Sequence, residues 1–158
     1  MTPMRVPVDW DDLEMALTTK PGEWTCYLDV RSGKVQIVSI DRPDDDDRPS
    51  EEDLDVELAE GLLFHVELLG SSIEYGWMAE FASSVRDTRL RDRLEVALDG
   101  RGAFRRFKGV LLDHPTERER WFRFRDERLV EAARRWLAEH DIEPTTAPPT
   151  RGRGIGGL

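Results

Sequence analysis

The hydrophobic residues of this chain change their period near residue 70, and that change limits the fold more than any other feature of the sequence. Before it, apolar residues recur at every second position. Trp24, Cys26, Leu28 and Val30 alternate to one side, as in a half-buried strand. Arg31-Ser32-Gly33-Lys34 forms a tight turn, because Gly33 accepts a positive φ, and Val35 to Ile40 returns as the partner strand. Leu62, Phe64, Val66 and Leu68 repeat the alternation in a third strand. After it, the spacing becomes helical. Ile73, Trp77, Phe81 and Val85 recur every four residues, and so do Leu90, Leu94 and Leu98. Phe104, Phe107 and Leu111 mark a short helix over residues 103–112. Strands followed by helices predict an α+β fold. The expected architecture is a small antiparallel sheet of about three strands in the N-terminal half, packed against a helical C-terminal half.

Local signals place the helix ends. Asp9 is the expected N-cap of a first helix with Trp10, Leu13 and Leu17 on one face and Glu14 on another. Ser71 and Glu74 have capping-box spacing. Asp87 caps the next helix, Gly100 closes it, and Pro115 suits a first helical turn. From there to His140 two apolar sets, Trp121 with Phe124 and Leu129 with Ala133 and Trp136, slip relative to each other. The pattern fits one kinked helix or two. Trp77, Phe81, Leu94, Phe104, Phe107 and Trp136 are the expected core.

The 158 residues suit one domain, expected over 1–143, with a disordered tail over 144–158. Residues 41–60 hold eleven acids against Arg42 and Arg48, and read as an acidic loop with a short helix from about Glu51. Cys26 is the single cysteine, which excludes an intramolecular disulfide and any multi-cysteine metal site. With no signal peptide in view, it points to a reducing, cytoplasmic location. The apolar runs are too short for a membrane helix, so no membrane role is expected. The net charge of −10 is unevenly spread: residues 1–100 carry 10 bases and 24 acids, residues 101–158 carry 13 bases and 9 acids.

One block stands out as a binding candidate. In Gly100-Arg101-Gly102-Ala103-Phe104-Arg105-Arg106-Phe107-Lys108, two glycines precede a helix start, where free amides and the helix dipole favour an anion. Arg101, Arg105 and Lys108 share one face, with Phe104 and Phe107 opposite. Arg101, Gly102, Arg105, Arg106 and Lys108 are therefore the candidate anion-binding residues. The same residues also read structurally, as a turn between helices with bases paired to the acidic first half. Other candidates are weaker. Asp44 to Asp47 lacks the spacing of a calcium loop. His65, His114 and His140 have no neighbouring His or Cys at ligand spacing. Trp121 to Arg125 alternates aromatic and basic residues, but in a helix Trp121 and Phe124 turn to the core. Cys26 reads as a core residue, and Arg151-Gly152-Arg153-Gly154 as a solvated end. No catalytic residue, metal site or cofactor is assigned.

Tyr27-Leu28-Asp29 with Gly33, Tyr75-x-x-Met78-x-x-Phe81, the Gly100 to Lys108 block and Trp121-x-x-Phe124 occur in this order. In these the chain resembles uncharacterised protein family 0158 over most of residues 8–143. The resemblance implies a bacterial cytosolic protein and supplies no activity or catalytic residue. Three function classes follow. The first is a non-catalytic binding or regulatory module acting through segregated charge, on a protein partner or by self-association. The second is a binder of a phosphorylated ligand, nucleotide or RNA at Arg101, Arg105 and Lys108. The third is an enzyme using Asp29 or Glu67 with His65, which requires those groups to converge.

Overall fold

A computed structural model of the protein describes residues 2–18, 24–39 and 51–148. Among them the chain falls into two units, one from residues 2–68 and 130–148, the other from 69–129. The Asp44–Asp47 run and the Arg151–Arg153 segment lie outside the described residues. No helix among the described residues is long and apolar enough to cross a membrane.

The first unit is built on the hairpin. Strand β1 (Met4–Val6) leads into helix α1 (Trp10–Thr18), then β2 (Trp24–Asp29), β3 (Val35–Ser39), helix α2 (Glu51–Ala59) and β4 (Leu63–Val66). The sheet order is β3-β2-β4, antiparallel throughout, with Cys26 opposite Ile37 and Val66, and Leu28 opposite Val35 and Phe64. This is the three-stranded sheet that the alternation predicts. Gly33 turns the hairpin at φ +78°, and its own backbone lies against the chain before α1: a Cβ there would stand 1.9 Å from the Pro7 carbonyl oxygen. The Asp9 amide donates to the Gly33 carbonyl at 2.8 Å, and the Asp9 carboxylate caps α1 by accepting from the Asp12 amide at 3.1 Å.

Three details differ from the alternation pattern. Trp24 is exposed, while Cys26, Leu28 and Val30 are buried as expected. Leu63 is 1% exposed, off the expected Leu62-Phe64-Val66-Leu68 face. The reason is α2, whose Leu54 and Leu58 pack with Leu63, Val38 and Tyr27 and bury the second face of the sheet. Glu14, expected on a separate face of α1, is buried beside Leu13 and Leu17.

A second, parallel pair was not visible in the sequence. After helix α6 (Pro115–Glu139), strand β5 (Ile142–Pro144) pairs with β1 through Met4–Ile142 and Val6–Pro144. Residues beyond it stay engaged. The Thr145 amide donates to the Val6 carbonyl at 2.8 Å, and Trp10 Nε1 donates to the Thr146 carbonyl and hydroxyl at 3.2 Å. Pro144, Thr145 and Thr146, at the start of the segment expected as a tail, thus have backbone or side-chain partners.

The second unit is helical: α3 (Ser71–Ser84), α4 (Thr88–Ala97), α5 (Ala103–Leu111) and the first part of α6. Its core joins Met78, Phe81, Ala82 and Val85 to Leu90, Leu94, Leu98, Ala103, Phe107, Leu111 and Trp121. The buried stripe of α3 is therefore Met78-Phe81-Ala82, with Val85 buried at the extended C-cap, and Ile73 is 44% exposed. A strict four-residue repeat drifts about 40° per step on a 3.6-residue helix, so Ile73 is turned about 80° from Phe81. Trp77 and Phe104 are half-buried, while Phe81, Leu94, Phe107 and, in the first unit, Trp136 are buried. Asp87 caps α4, its carboxylate accepting from the Leu90 amide at 3.1 Å. The capping box at Ser71 does not form. Gly70 is the N-cap of α3 without a side-chain bond, and Glu74 pairs with Arg125 at 3.4 Å instead. Helix α6 is one continuous element with Pro115 first. Its apolar pattern slips because Trp121 packs in the helical unit, whereas Ala133 and Trp136 belong to the first.

Candidate functional site

The Gly100–Lys108 block forms the turn from α4 into α5. Gly100 has φ +83° and Gly102 φ +73°, so two left-handed residues reverse the chain within three positions. A Cβ at either glycine would meet only the Arg106 guanidinium, at 3.9 and 3.6 Å. Backbone conformation, not space, is what requires glycine here. Gly102 is the N-cap of α5 and supplies no side chain to its first amides. Ala103, Phe107 and Leu111 anchor the opposite face in the core.

The block's cations divide by role. Arg106 Nε donates to the Ala97 carbonyl at 3.1 Å, and its two terminal nitrogens donate to the carbonyls of Asp99 and Arg101. One guanidinium thereby caps the C-terminal end of α4, where the helix dipole favours a cation, and ties the turn down. Arg101, Arg105 and Lys108 are all exposed, but only Arg105 and Lys108 lie on α5, three apart. Arg101 is in the turn before the left-handed Gly102, so the expected shared helical face does not extend to it. Among the described residues none of the three makes an ion pair. Helix α6 differs. Arg120 pairs with Glu117 at 2.7 Å, Arg125 with Glu74 at 3.4 Å and Arg128 with Glu80. Arg120 and Arg128 also lie over the rings of Phe81 and Phe124.

Two open grooves flank α4. The first, about 560 Å³, runs between α4 and α5 and is lined by Asp92, Arg93, Val96, Ala97, Arg106, Gly109 and Val110. The second, about 480 Å³, is lined by Tyr75, Asp92, Glu95, Val96 and Asp99. Tyr75 is held there by its hydroxyl, which donates to the Leu98 carbonyl at 2.8 Å. Val96, 72% exposed, is the ridge between the two. Sequence reasoning passed over Val96, although an apolar residue off the Leu90-Leu94-Leu98 stripe was a readable signal.

The remaining candidates are placed elsewhere. Asp29 is buried, and its carboxylate accepts from Arg31 Nε and Nη2 at 3.0 Å and from the Gln36 amide at 3.0 Å. Burial alone would raise its pKa, but the hydrogen bonds and charge of Arg31, with Gln36, bring it below the ordinary carboxylate value. Arg31 also reaches Glu57 at 3.1 Å, and its pKa is raised by both acids. His65 is exposed, with its ring 5.6 Å from that of Tyr27. Glu67 is exposed as well, and Asp29, His65 and Glu67 line neither groove. His140 stacks on Trp136 at 4.2 Å with Nδ1 2.8 Å from the Trp136 carbonyl. His114 caps α6 through its carbonyl, which accepts from the Arg118 amide at 2.8 Å. Trp121 is buried against Phe81 and Phe107, so its ring is no stacking platform. Burial pushes the Cys26 thiol pKa up, which keeps it protonated and unreactive. Among the described residues, no group of three or more His, Cys, Asp or Glu is arranged to hold a metal ion.

Comparison with known proteins finds relatives of the sequence. The family described as Uncharacterised protein family (UPF0158) matches residues 2–148. UPF0158 protein PA5073 of Pseudomonas aeruginosa is 35% identical over 144 residues, covering 91% of this chain and 88% of that protein. No solved structure matches.

Proposed function

The chain belongs to the uncharacterised protein family UPF0158, whose activity is unassigned, and on that premise we propose that it is a cytosolic, non-catalytic binding module that presents the basic face of α5 to an anionic partner. The observation that carries the reading is the division of labour within the block. Arg106 is committed to three backbone carbonyls, while Arg101, Arg105 and Lys108 stay exposed and without ion pairs among the described residues. A helix anchored by Phe107 and Leu111 and tied at its start by Arg106 fixes the backbone that carries Arg105 and Lys108, so binding has only their side chains to order. An acidic protein surface is the favoured partner, because two separate cations on α5, Arg105 and Lys108, with Arg101 in the turn before it, suit complementary charge on a second surface. The test is fluorescence anisotropy with a labelled acidic peptide, comparing the protein with an Arg101→Ala/Arg105→Ala/Lys108→Ala variant. Binding that weakens with salt and is lost in the variant, at unchanged circular dichroism, is expected. Equal binding by the variant contradicts the reading.

The uncapped start of α5 favours a second reading, a phosphorylated ligand or RNA held jointly by the amides after Gly102 and the three cations. For single-stranded RNA engaging all three, the logarithm of the binding constant should fall with a slope of about −2 against the logarithm of salt concentration.

A further inference from the structure

We infer that the partner of the basic α5 face is a second copy of this chain, docked across the α4–α5 hairpin with Val96 at the centre. This rests on the proposed reading of that face and names its occupant. The first observation is the order of side chains across the hairpin. Asp92 and Glu95 on α4, with Asp99 just beyond its end, line the groove on the side of Tyr75. Next comes Val96, exposed to 72%, and then the α4–α5 groove floored by Ala97, Gly109 and Val110. At about 100° per residue, Arg105 and Lys108 lie beyond Gly109 on α5, on the side away from α4. The surface therefore runs from acids, through the Val96 ridge and a valley with an apolar floor walled by Arg93 and Arg106, to bases.

That order is self-complementary. In an isologous dimer each patch meets its counterpart on the other copy. A two-fold axis parallel to the helices, midway between ridge and valley, sets the acids of one copy over the bases of the other, twice, and brings each Val96 to the partner's valley. A two-fold axis across the helices would set acid over acid and is disfavoured by repulsion. The valley has room for the ridge: a Cβ added at Gly109 would meet nothing within 4 Å. Two cations stand near the seam: Arg93, which shares the groove wall with Asp92, and Arg106, which is held by the carbonyls of Ala97, Asp99 and Arg101.

The size of the face sets the strength. Helix α4 has ten residues, about 15 Å of length, and two helices side by side present roughly 300 Å² per copy. That lies below the area of stable complexes, so the association is weak and reversible.

Sedimentation velocity of the full chain, at concentrations rising to about 0.5 mM as so small an interface requires, tests the inference. Concentration-dependent dimerisation is expected, weakening as salt rises from about 0.1 M to about 1 M and the screening length drops from ~10 to ~3 Å. Val96→Glu should abolish it. An Asp92→Lys/Glu95→Lys variant and an Arg105→Glu/Lys108→Glu variant should each be monomeric alone and should dimerise when mixed in equal amounts, because mixing restores both acid–base contacts. All four positions are exposed, and circular dichroism checks that each variant folds. A wild-type chain that stays monomeric overturns the inference, as does a dimer indifferent to Val96→Glu or a mixture that fails to associate. If the dimer is absent but the acidic peptide still binds and the triple-alanine variant does not, self-association falls while the basic face stands. Loss of both ends both.

Discussion

Replacing Gly33 by alanine should destabilise the protein far more than the same change at Gly61, although the two share nearly the same backbone angle, φ +78° and +75°. An L-residue in the left-handed region costs about 1–2 kcal/mol, and both variants bear that. Around Gly61 a Cβ meets nothing within 4 Å. At Gly33 it would stand 1.9 Å from the Pro7 carbonyl oxygen and 2.5 Å from its carbon, both backbone atoms that cannot rotate away. The segment from Pro7 must move by more than an ångström. That breaks the 2.8 Å bond from the Asp9 amide to the Gly33 carbonyl and disturbs Val6 and Val8, both buried. A lost hydrogen bond of about 1 kcal/mol and overpacking of about 1–3 kcal/mol add to the backbone cost. Gly33→Ala is thus expected to cost about 3–6 kcal/mol and Gly61→Ala about 1–2 kcal/mol. Urea unfolding followed by tryptophan fluorescence measures both, with a difference in midpoint at similar slope as the signature. Equal midpoints for the two variants would refute the close approach of the hairpin turn to Pro7.

Arg106→Ala should lower Tm by several degrees and raise amide exchange at residues 98–102, whose carbonyls and turn lose their shared donor. Arg106→Lys should restore less than half, since one ammonium cannot serve three separated carbonyls; full rescue by lysine would contradict the capping role. The pKa of Asp29 is depressed in the folded state, so its contribution is complete above the unfolded value of about 3.9 and is lost as pH falls through the lower folded value. The Tm gap between the protein and Asp29→Asn should accordingly be constant at neutral pH and close only in acid below about pH 4; a gap that closes above pH 5 contradicts it. Asp126 has the opposite sign. Burial raises its pKa, with Arg125 offsetting only part, so its charge destabilises the fold above that pKa. Asp126→Asn should raise Tm at pH 7 and lose its advantage as the pH falls through the carboxylate range, whereas a lower Tm at pH 7 would contradict the burial argument.

What the sequence disclosed and what it hid follow from the range of each signal. The β2–β3 hairpin was legible because alternation and the Gly33 turn are local, and the Asp9 and Asp87 caps because each needs only an amide three residues on. The β1–β5 pair was not, since each strand has three residues and its partner lies at the other end of the chain. Leu63 was misplaced because its burial is decided by α2, a neighbour the local alternation does not contain, whereas Glu14 was legible after all, four residues after Trp10 on the buried side of α1. At the candidate site the glycine turn and the basic cluster were visible. The distinction between Arg105 and Arg106 was not, because it depends on where the carbonyls of Ala97, Asp99 and Arg101 fall in space.

The most direct test of the binding account is an amide chemical-shift titration of the isotope-labelled protein with an acidic peptide. The account predicts perturbations centred on residues 100–109 and the facing residues of α4, absent when Arg101, Arg105 and Lys108 are alanine. Perturbations centred on another surface, or a pattern unchanged in that variant, would contradict it.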